Sequence, residues 1–347
     1  MSGSTSDDVT TITLTDSNSG TSTATVNTGG DYNTSILLGT FIKKGNITDW
    51  SNLCTNYKNK SFDISKVNYF STVKPTTTAY MFFGCSDTEK ITLENTDFSS
   101  VARMENMFYG CTGLTEVKFN DGAKNWSNCG VMSSMFFNCS SLTTINLTGI
   151  QTKSAGVNCA SMFQDCTSLT SVSLPTMLAN SAVSMFKNCS SLTSLDITNL
   201  TLVNNAQAHY FFQGCTSLTS ITGLSNLANT SSVDKMFRDC RSLTTLDLSS
   251  WQISPQNYME MFAGCSSLTT LDVSGFTLAN ANSSPVTQMF DGCTSLQTLD
   301  ISGMDFGTYG SGIVTVFAML RGVPTSCTIY VKDQASLEWL VSKFGSD

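Results

Sequence analysis

Charge is scarce in this chain. Asp, Glu, Lys and Arg make up 13% of its 347 residues, and 26 acidic residues outnumber 18 basic ones, giving a net charge of −8. Without clustered Lys and Arg there is little to displace the counterions of nucleic acid or to dock on anionic lipid. No stretch approaches the roughly 20 consecutive apolar residues of a membrane helix, so no membrane insertion is expected. Residues 1–8 have neither a basic start nor an apolar run, and no signal peptide is visible there. Histidine occurs once, as His209 in Ala208-His209-Tyr210, with no acidic or cysteine partner nearby in sequence. It reads as a surface or turn residue. No glycine-rich phosphate loop follows a strand, and Ser and Thr are spread evenly rather than gathered around one activated nucleophile. Neither a cofactor nor an enzymatic activity is expected.

What is present is a repeat. The phrase Met-Phe-x-x-Cys runs from Met81-Phe82 to Cys85, then recurs at Met107-Phe108, Met135-Phe136, Met162-Phe163, Met185-Phe186, Phe211-Phe212, Met236-Phe237, Met261-Phe262 and Met289-Phe290, with successive cysteines 23 to 28 residues apart. A worn copy is read at Val316-Phe317, with Leu320 in the cysteine place. After each cysteine comes x-x-Leu-x-x-Leu-x-Leu, clearest at Leu243, Leu246, Leu248 and at Leu268, Leu271, Val273. Its last piece alternates with period two, as a strand does. One short strand cannot bury its inner face alone, so the units must stack as a solenoid with a parallel sheet and one continuous core. The Phe, the Cys and the apolar residue three before the Met-Phe pair (Met104, Met132, Cys159, Val233, Val286) point inward. The Met-to-Cys segment is expected to form a short helical turn on the convex side. Length variation, as at 120–128 and 151–158, falls in loops. Trp251, Phe276 and Phe306 follow strands and are expected to turn inward as corner packing.

This assignment settles the thirteen cysteines. Metal spacing such as Cys-x-x-Cys is absent. A column of one thiol per turn, side chains parallel, offers poor disulfide geometry. Cys129 and Cys159 sit where other copies have Val or Met. The thiols are therefore expected to be buried, reduced and slow to react.

The runs Val101-x-x-Met104-x-x-Met107-Phe108-x-Gly110-Cys111-x-x-Leu114 and Cys265-Ser266-Ser267-Leu268-Thr269-Thr270-Leu271-Asp272-Val273-Ser274 resemble the BspA-type leucine-rich repeat surface proteins, over roughly residues 80–320. The resemblance implies a leucine-rich-repeat solenoid with about one parallel strand per 25-residue turn and a C-terminal capping helix. It also implies a bacterial or protist surface protein that binds host proteins, matrix or other cells, and it implies no catalysis.

Four segments follow. Residues 1–35 are a Ser/Thr-rich arm or linker in which Thr11–Leu14 and Thr23–Val26 alternate like strands. Residues 36–80 form a divergent cap or first repeat, with Cys54, Phe62 and Ile64 in a diverged frame and Ile36, Leu37, Leu38, Phe41 and Ile42 as apolar groups. Residues 81–326 are the solenoid. Residues 327–347 supply a last strand, Thr328–Val331, and a helix capped by Asp333 with Leu337, Leu340, Val341 and Phe344 at helical spacing.

The residue between the two strand leucines faces outward. Along the rod it reads Thr92, Lys118, Asn146, Ser173, Asp196, Thr222, Asp247, Asp272, Asp300. With Thr245, Thr270 and Thr298, the aspartates Asp196, Asp247, Asp272 and Asp300 form a candidate binding column for a protein or glycan on a host or neighbouring surface. Asp247, Asp272 and Asp300 should lie about one strand spacing apart, raising one another's pKa unless neutralised. They are a candidate calcium site, with solvation by flanking hydroxyls as the simpler alternative. No exposed aromatic stripe is expected on this face. Two functional readings remain. One is a surface-exposed adhesion or recognition module. The other is a virion or phage-tail attachment protein docked through its N-terminal arm.

Overall fold

In a computed structural model, the described residues are 9–15, 21–27, 48–63, 74–94, 96–119, 125–228, 230–280, 285–309 and 318–344. They confirm the solenoid. Within four runs of successive turns the strands pair in parallel, in register leucine to leucine, and the pairing is interrupted between the runs. Phe62, Ile91 and Val117 align, as do Leu246, Leu271, Leu299 and Ile329. In the nine full copies the Phe and Cys of each turn are buried, as are Met104, Met132, Cys159, Val233 and Val286, and so are Trp251, Phe276 and Phe306. The two alternating pieces of the N-terminal arm pair as an antiparallel hairpin, Val9–Thr15 with Thr21–Asn27. Ile36, Leu37, Leu38, Phe41, Ile42 and Ile64 lie outside the described residues.

The Met-to-Cys segment is not helical. Alternate N–H groups bond within the turn and to the next one. Met107, Tyr109 and Cys111 donate to the carbonyls of Met104, Asn106 and Phe108, while Asn106, Phe108 and Gly110 donate to Ser133, Met135 and Phe137 of the following turn. Two residues per turn sit in the left-handed region: the one before the Met (Asn106, φ 56°) and the second after the Phe (Gly110, φ 71°). A helix needs negative φ throughout, so these two positions convert an expected helical turn into a pair of tight turns. They also leave half of the N–H groups free to tie the turns together.

A second parallel ladder, unforeseen from the sequence, runs beside the first. It links Asp49, Thr77, Arg103, Val131 and Asn158 by single bridges and continues through Val157–Asn158, Met177–Ser181 and Leu200–Gln207. The expected loop at 151–158 is partly strand: Val157–Asn158 belongs to this ladder, and Gln151–Thr152 pairs with Asn125–Trp126 in a separate two-stranded sheet.

Two side-chain columns fill the interior. The inner phenylalanines stack ring on ring, with centroids 5.0–5.8 Å apart and near-parallel planes along Phe82, Phe108, Phe136, Phe163 and Phe186, and again along Phe212, Phe237, Phe262 and Phe290. Beside them the thiols form a hydrogen-bonded ladder. The Sγ–H of Cys111 donates to the Phe82 carbonyl at 3.1 Å and that of Cys139 to Phe108 at 3.1 Å, and the pattern continues to Cys293 and Phe262 at 3.3 Å. Each such carbonyl already accepts the Cys N–H of its own turn, so the thiol fills its second lone pair. This explains cysteine rather than alanine or valine here. All the cysteines are unpaired, and all but Cys327 are buried. Burial pushes the thiols of Cys166, Cys215 and Cys293 up to about 12, which removes the thiolate on which reactivity depends.

The ends depart from the sequence reading. Val316-Phe317 lie outside the described residues, but the register of the last turn is fixed by its bonds. Phe290 N–H donates to Met319 and Gly292 N–H to Arg321. Met319 therefore takes the Met place, Leu320 the Phe place and Val323 the Cys place, a shift of three from the expected frame. At the other end the Cys85 thiol donates to the Cys54 carbonyl, so Cys54 stands in the phenylalanine column and Tyr57 in the cysteine column. Asp333 caps the C-terminal helix Gln334–Phe344, its Oδ1 accepting the Ser336 N–H at 2.8 Å. The helix buries Ser336 and Leu340 and lays Trp339 on Phe306, centroids 4.7 Å apart. Of the four apolar positions at helical spacing, Leu337 and Val341 are exposed, because the helix docks through the face that carries Ser336 and Leu340.

Candidate functional site

The strands Thr245–Leu246, Thr270–Asp272, Thr298–Asp300 and Thr328–Tyr330 form one four-stranded sheet. Their leucines point into the core, so period two sends the flanking residues outward. Thr245, Thr270, Thr298 and Thr328 make one row. Asp272, Asp300 and Tyr330 make the next, with Asp247 at its head just beyond Leu246. Between the rows lies a shallow depression of about 360 Å³, lined by these residues and by no basic one. The structure thus brings together six of the seven candidates. Asp196 is on another strand pair, opposite Thr222, and does not join them.

Each aspartate has a local job. Its Oδ1 accepts the N–H two residues on, closing the bend where the chain leaves the sheet: Ser249 to Asp247 at 3.1 Å, Ser274 to Asp272 at 2.9 Å, Ser302 to Asp300 at 2.9 Å and Thr198 to Asp196 at 2.9 Å. Asn146 does the same for Thr148. At Asp247 and Asp196 these bonds set the direction of titration. The Ser249 hydroxyl and N–H hold Asp247 below the usual carboxylate range, and the Thr198 N–H and hydroxyl do so for Asp196. The expected upward shift is therefore reversed at Asp247. The second oxygen of Asp247, Asp272 and Asp300 has no protein partner among the described residues. The three carboxylates form a row rather than a cage, and among the described residues no three His, Cys, Asp or Glu side chains gather closely enough to hold a metal ion.

Tyr330 is the residue the sequence reading missed. It is 53% exposed and continues the aspartate row. Aligning Thr328-Ile329-Tyr330 with Thr298-Leu299-Asp300 would have placed it there. A second aromatic group lies on the turn side, where Phe83, Tyr109 and Phe137 stack at 4.5–5.0 Å. Both faces of Tyr109 are spent on its neighbours. His209 sits at the start of a turn, half-buried against Tyr210. No described helix is long and apolar enough to cross a membrane.

Residues 76–208 match the model of the BspA type leucine rich repeat region in six copies. Residues 180–303 match a model described as a Mycoplasma protein of unknown function. Among curated proteins nothing matches the chain. Solved structures that resemble it include a leucine rich repeat protein of T. pallidum (22% identity, 55% of this chain and 81% of that one, TM-score 0.37). Others are a leucine-rich repeat protein of Bacteroides ovatus (15%, 74% and 87%, 0.23) and a leucine rich cell surface protein of Faecalibacterium prausnitzii (15%, 72% and 81%, 0.28). The recurring Phe-x-x-Cys-x-x-Leu unit, its winding and the matching repeat model agree, and residues 76–208 carry the BspA-type leucine-rich repeat.

Proposed function

We propose that this protein is a non-enzymatic, surface-exposed recognition module that binds a basic segment of a partner protein across its C-terminal sheet face. The observation that carries the reading is the row Asp247, Asp272, Asp300, Tyr330. Three carboxylates stand about one strand spacing apart, each with a free oxygen, ending at an exposed aromatic ring in a depression without any cation. A chain bearing Lys or Arg supplies what this row lacks, and Tyr330 offers a face for a guanidinium or ammonium group. The sheet is preformed, so little ordering opposes binding. Exposure at a surface is supported by the BspA-type repeats of residues 76–208.

The test uses Asp→Asn at positions 247, 272 and 300 together. Asn146 shows that the amide keeps the bend, so the triple variant should melt like wild type. On printed arrays of basic peptides and of glycans, wild type should be retained on basic peptides, with binding falling as salt rises, and the variant should lose about tenfold or more in affinity, roughly 1.4 kcal/mol. Retention on neither array, or retention on neutral glycans that survives the triple change, would overturn the reading.

A further inference from the structure

The last turn differs from all others in what covers it. Leu320, Val323, Ile329 and Val331 are only partly buried, whereas their counterparts one turn back, Phe290, Cys293, Leu299 and Ile301, are fully sealed. The capping helix accounts for the difference. It docks on the corner at Phe306, with the Gly307 N–H donating to Ser336 Oγ at 3.3 Å, and among the described residues part of the core's end stays open. Between the last turn and the end of that helix runs a groove of about 740 Å³. Its floor includes Leu320, Val323, Ile329 and Phe344, and Arg321 and Lys343 stand on its rim, with no acidic residue in the lining.

The backbone at this end is unfinished too. Thr328–Tyr330 is the edge of its sheet. One turn back, Ile301 N–H donates to Tyr330 at 3.0 Å and the Gln297 carbonyl accepts from Thr328 at 2.9 Å. The equivalent groups of the last turn, Val331 N–H and the Cys327 carbonyl, have no partner among the described residues. An unpaired edge over an apolar floor accepts an extended chain as its next strand.

We propose that this end is a docking site for an extended, acidic segment of a partner protein, added as one more strand beside Thr328–Tyr330. The free edge requires an extended backbone. The floor requires apolar side chains at alternate positions. The rim requires carboxylates. Arg321 is already shared with Asp291, so Lys343 supplies most of the attraction. This edge meets the sheet face at Tyr330 and uses none of its aspartates, so the outcome of one test does not decide the other.

The probe is a fluorescein-labelled synthetic peptide of residues 266–275, which carries Leu and Asp in the alternation the edge needs, titrated against the full chain and followed by anisotropy. Saturable binding is expected, weakened about tenfold by Val331→Pro, which deletes the edge donor at a position where proline is tolerated. Lys343→Glu, a surface change that leaves the core intact, should weaken the acidic peptide about threefold or more and leave a peptide with Asn in place of Asp unaffected. Absence of binding up to about 1 mM, or binding indifferent to both variants, overturns the proposal. Self-association of the chain that Val331→Pro abolishes overturns it as well, since the occupant would then be a second copy.

Discussion

Replacing Gly214 by alanine tests the turn geometry and the coupling between turns at once. Gly214 holds φ 76°, and a Cβ built there would sit 2.3 Å from Asn188 Oδ1 and 3.4 Å from Asn188 Cα. Two costs follow. Alanine in the left-handed region costs about 1–2 kcal/mol. Asn188 must also swing aside and give up its Nδ2–H bond to Asp165 Oδ1 at 2.7 Å, a bond to a charged acceptor, about 1.5–3 kcal/mol. Gly110→Ala is the control. It has the same backbone at φ 71°, but its Cβ would meet nothing nearer than Gly84 Cα at 3.9 Å. Gly110→Ala should therefore cost about 1–2 kcal/mol and Gly214→Ala about 2.5–5 kcal/mol. Urea unfolding followed by circular dichroism reads both, compared at matched m-values because a solenoid can unravel in segments. In the Asn188→Gly background the side chain is gone and the left-handed backbone is preserved. There Gly214→Ala should fall back to the control value. Equal losses for the two alanines, or an excess that persists without Asn188, would refute the reasoning.

Other outcomes follow from the core. Leu271→Ala, at a side chain 2% exposed, should cost about 2–5 kcal/mol in the same assay, and a loss below about 1 kcal/mol would contradict the inward assignment. Cys240→Ala removes one S–H bond to Phe212 and should be mild. Cys240→Asp buries a carboxylate against a carbonyl and should destabilise far more. In the native protein a thiol reagent should label Cys327 first, while the buried thiols, held protonated by burial, react only on unfolding. Fast labelling of the whole set would show the column to be open.

The C-terminal end shows how a correct pattern can be read in the wrong frame. Val316-Phe317 looks like the next Met-Phe pair by residue type. The frame is set instead by backbone bonds from Phe290 and Gly292 to Met319 and Arg321, and a one-dimensional pattern does not contain them. The same lesson applies to Leu337 and Val341, which sit at helical spacing yet face outward, because spacing defines a stripe and docking chooses which stripe is buried.

The sequence alone determined the solenoid, the inward Phe, Cys and Leu columns and the outward threonine and aspartate rows. Period two and a repeat of about 25 residues leave a stacked chain few other ways to bury its apolar side chains. Tertiary structure decided the rest. It placed two left-handed residues where a helix was expected, joined the turns by a second ladder, and gave the thiols a carbonyl partner. It also set Tyr330 at the end of the aspartate row and left the last turn half-covered. Each of these depends on which groups of one turn meet those of the next, and that contact exists only once the chain is wound.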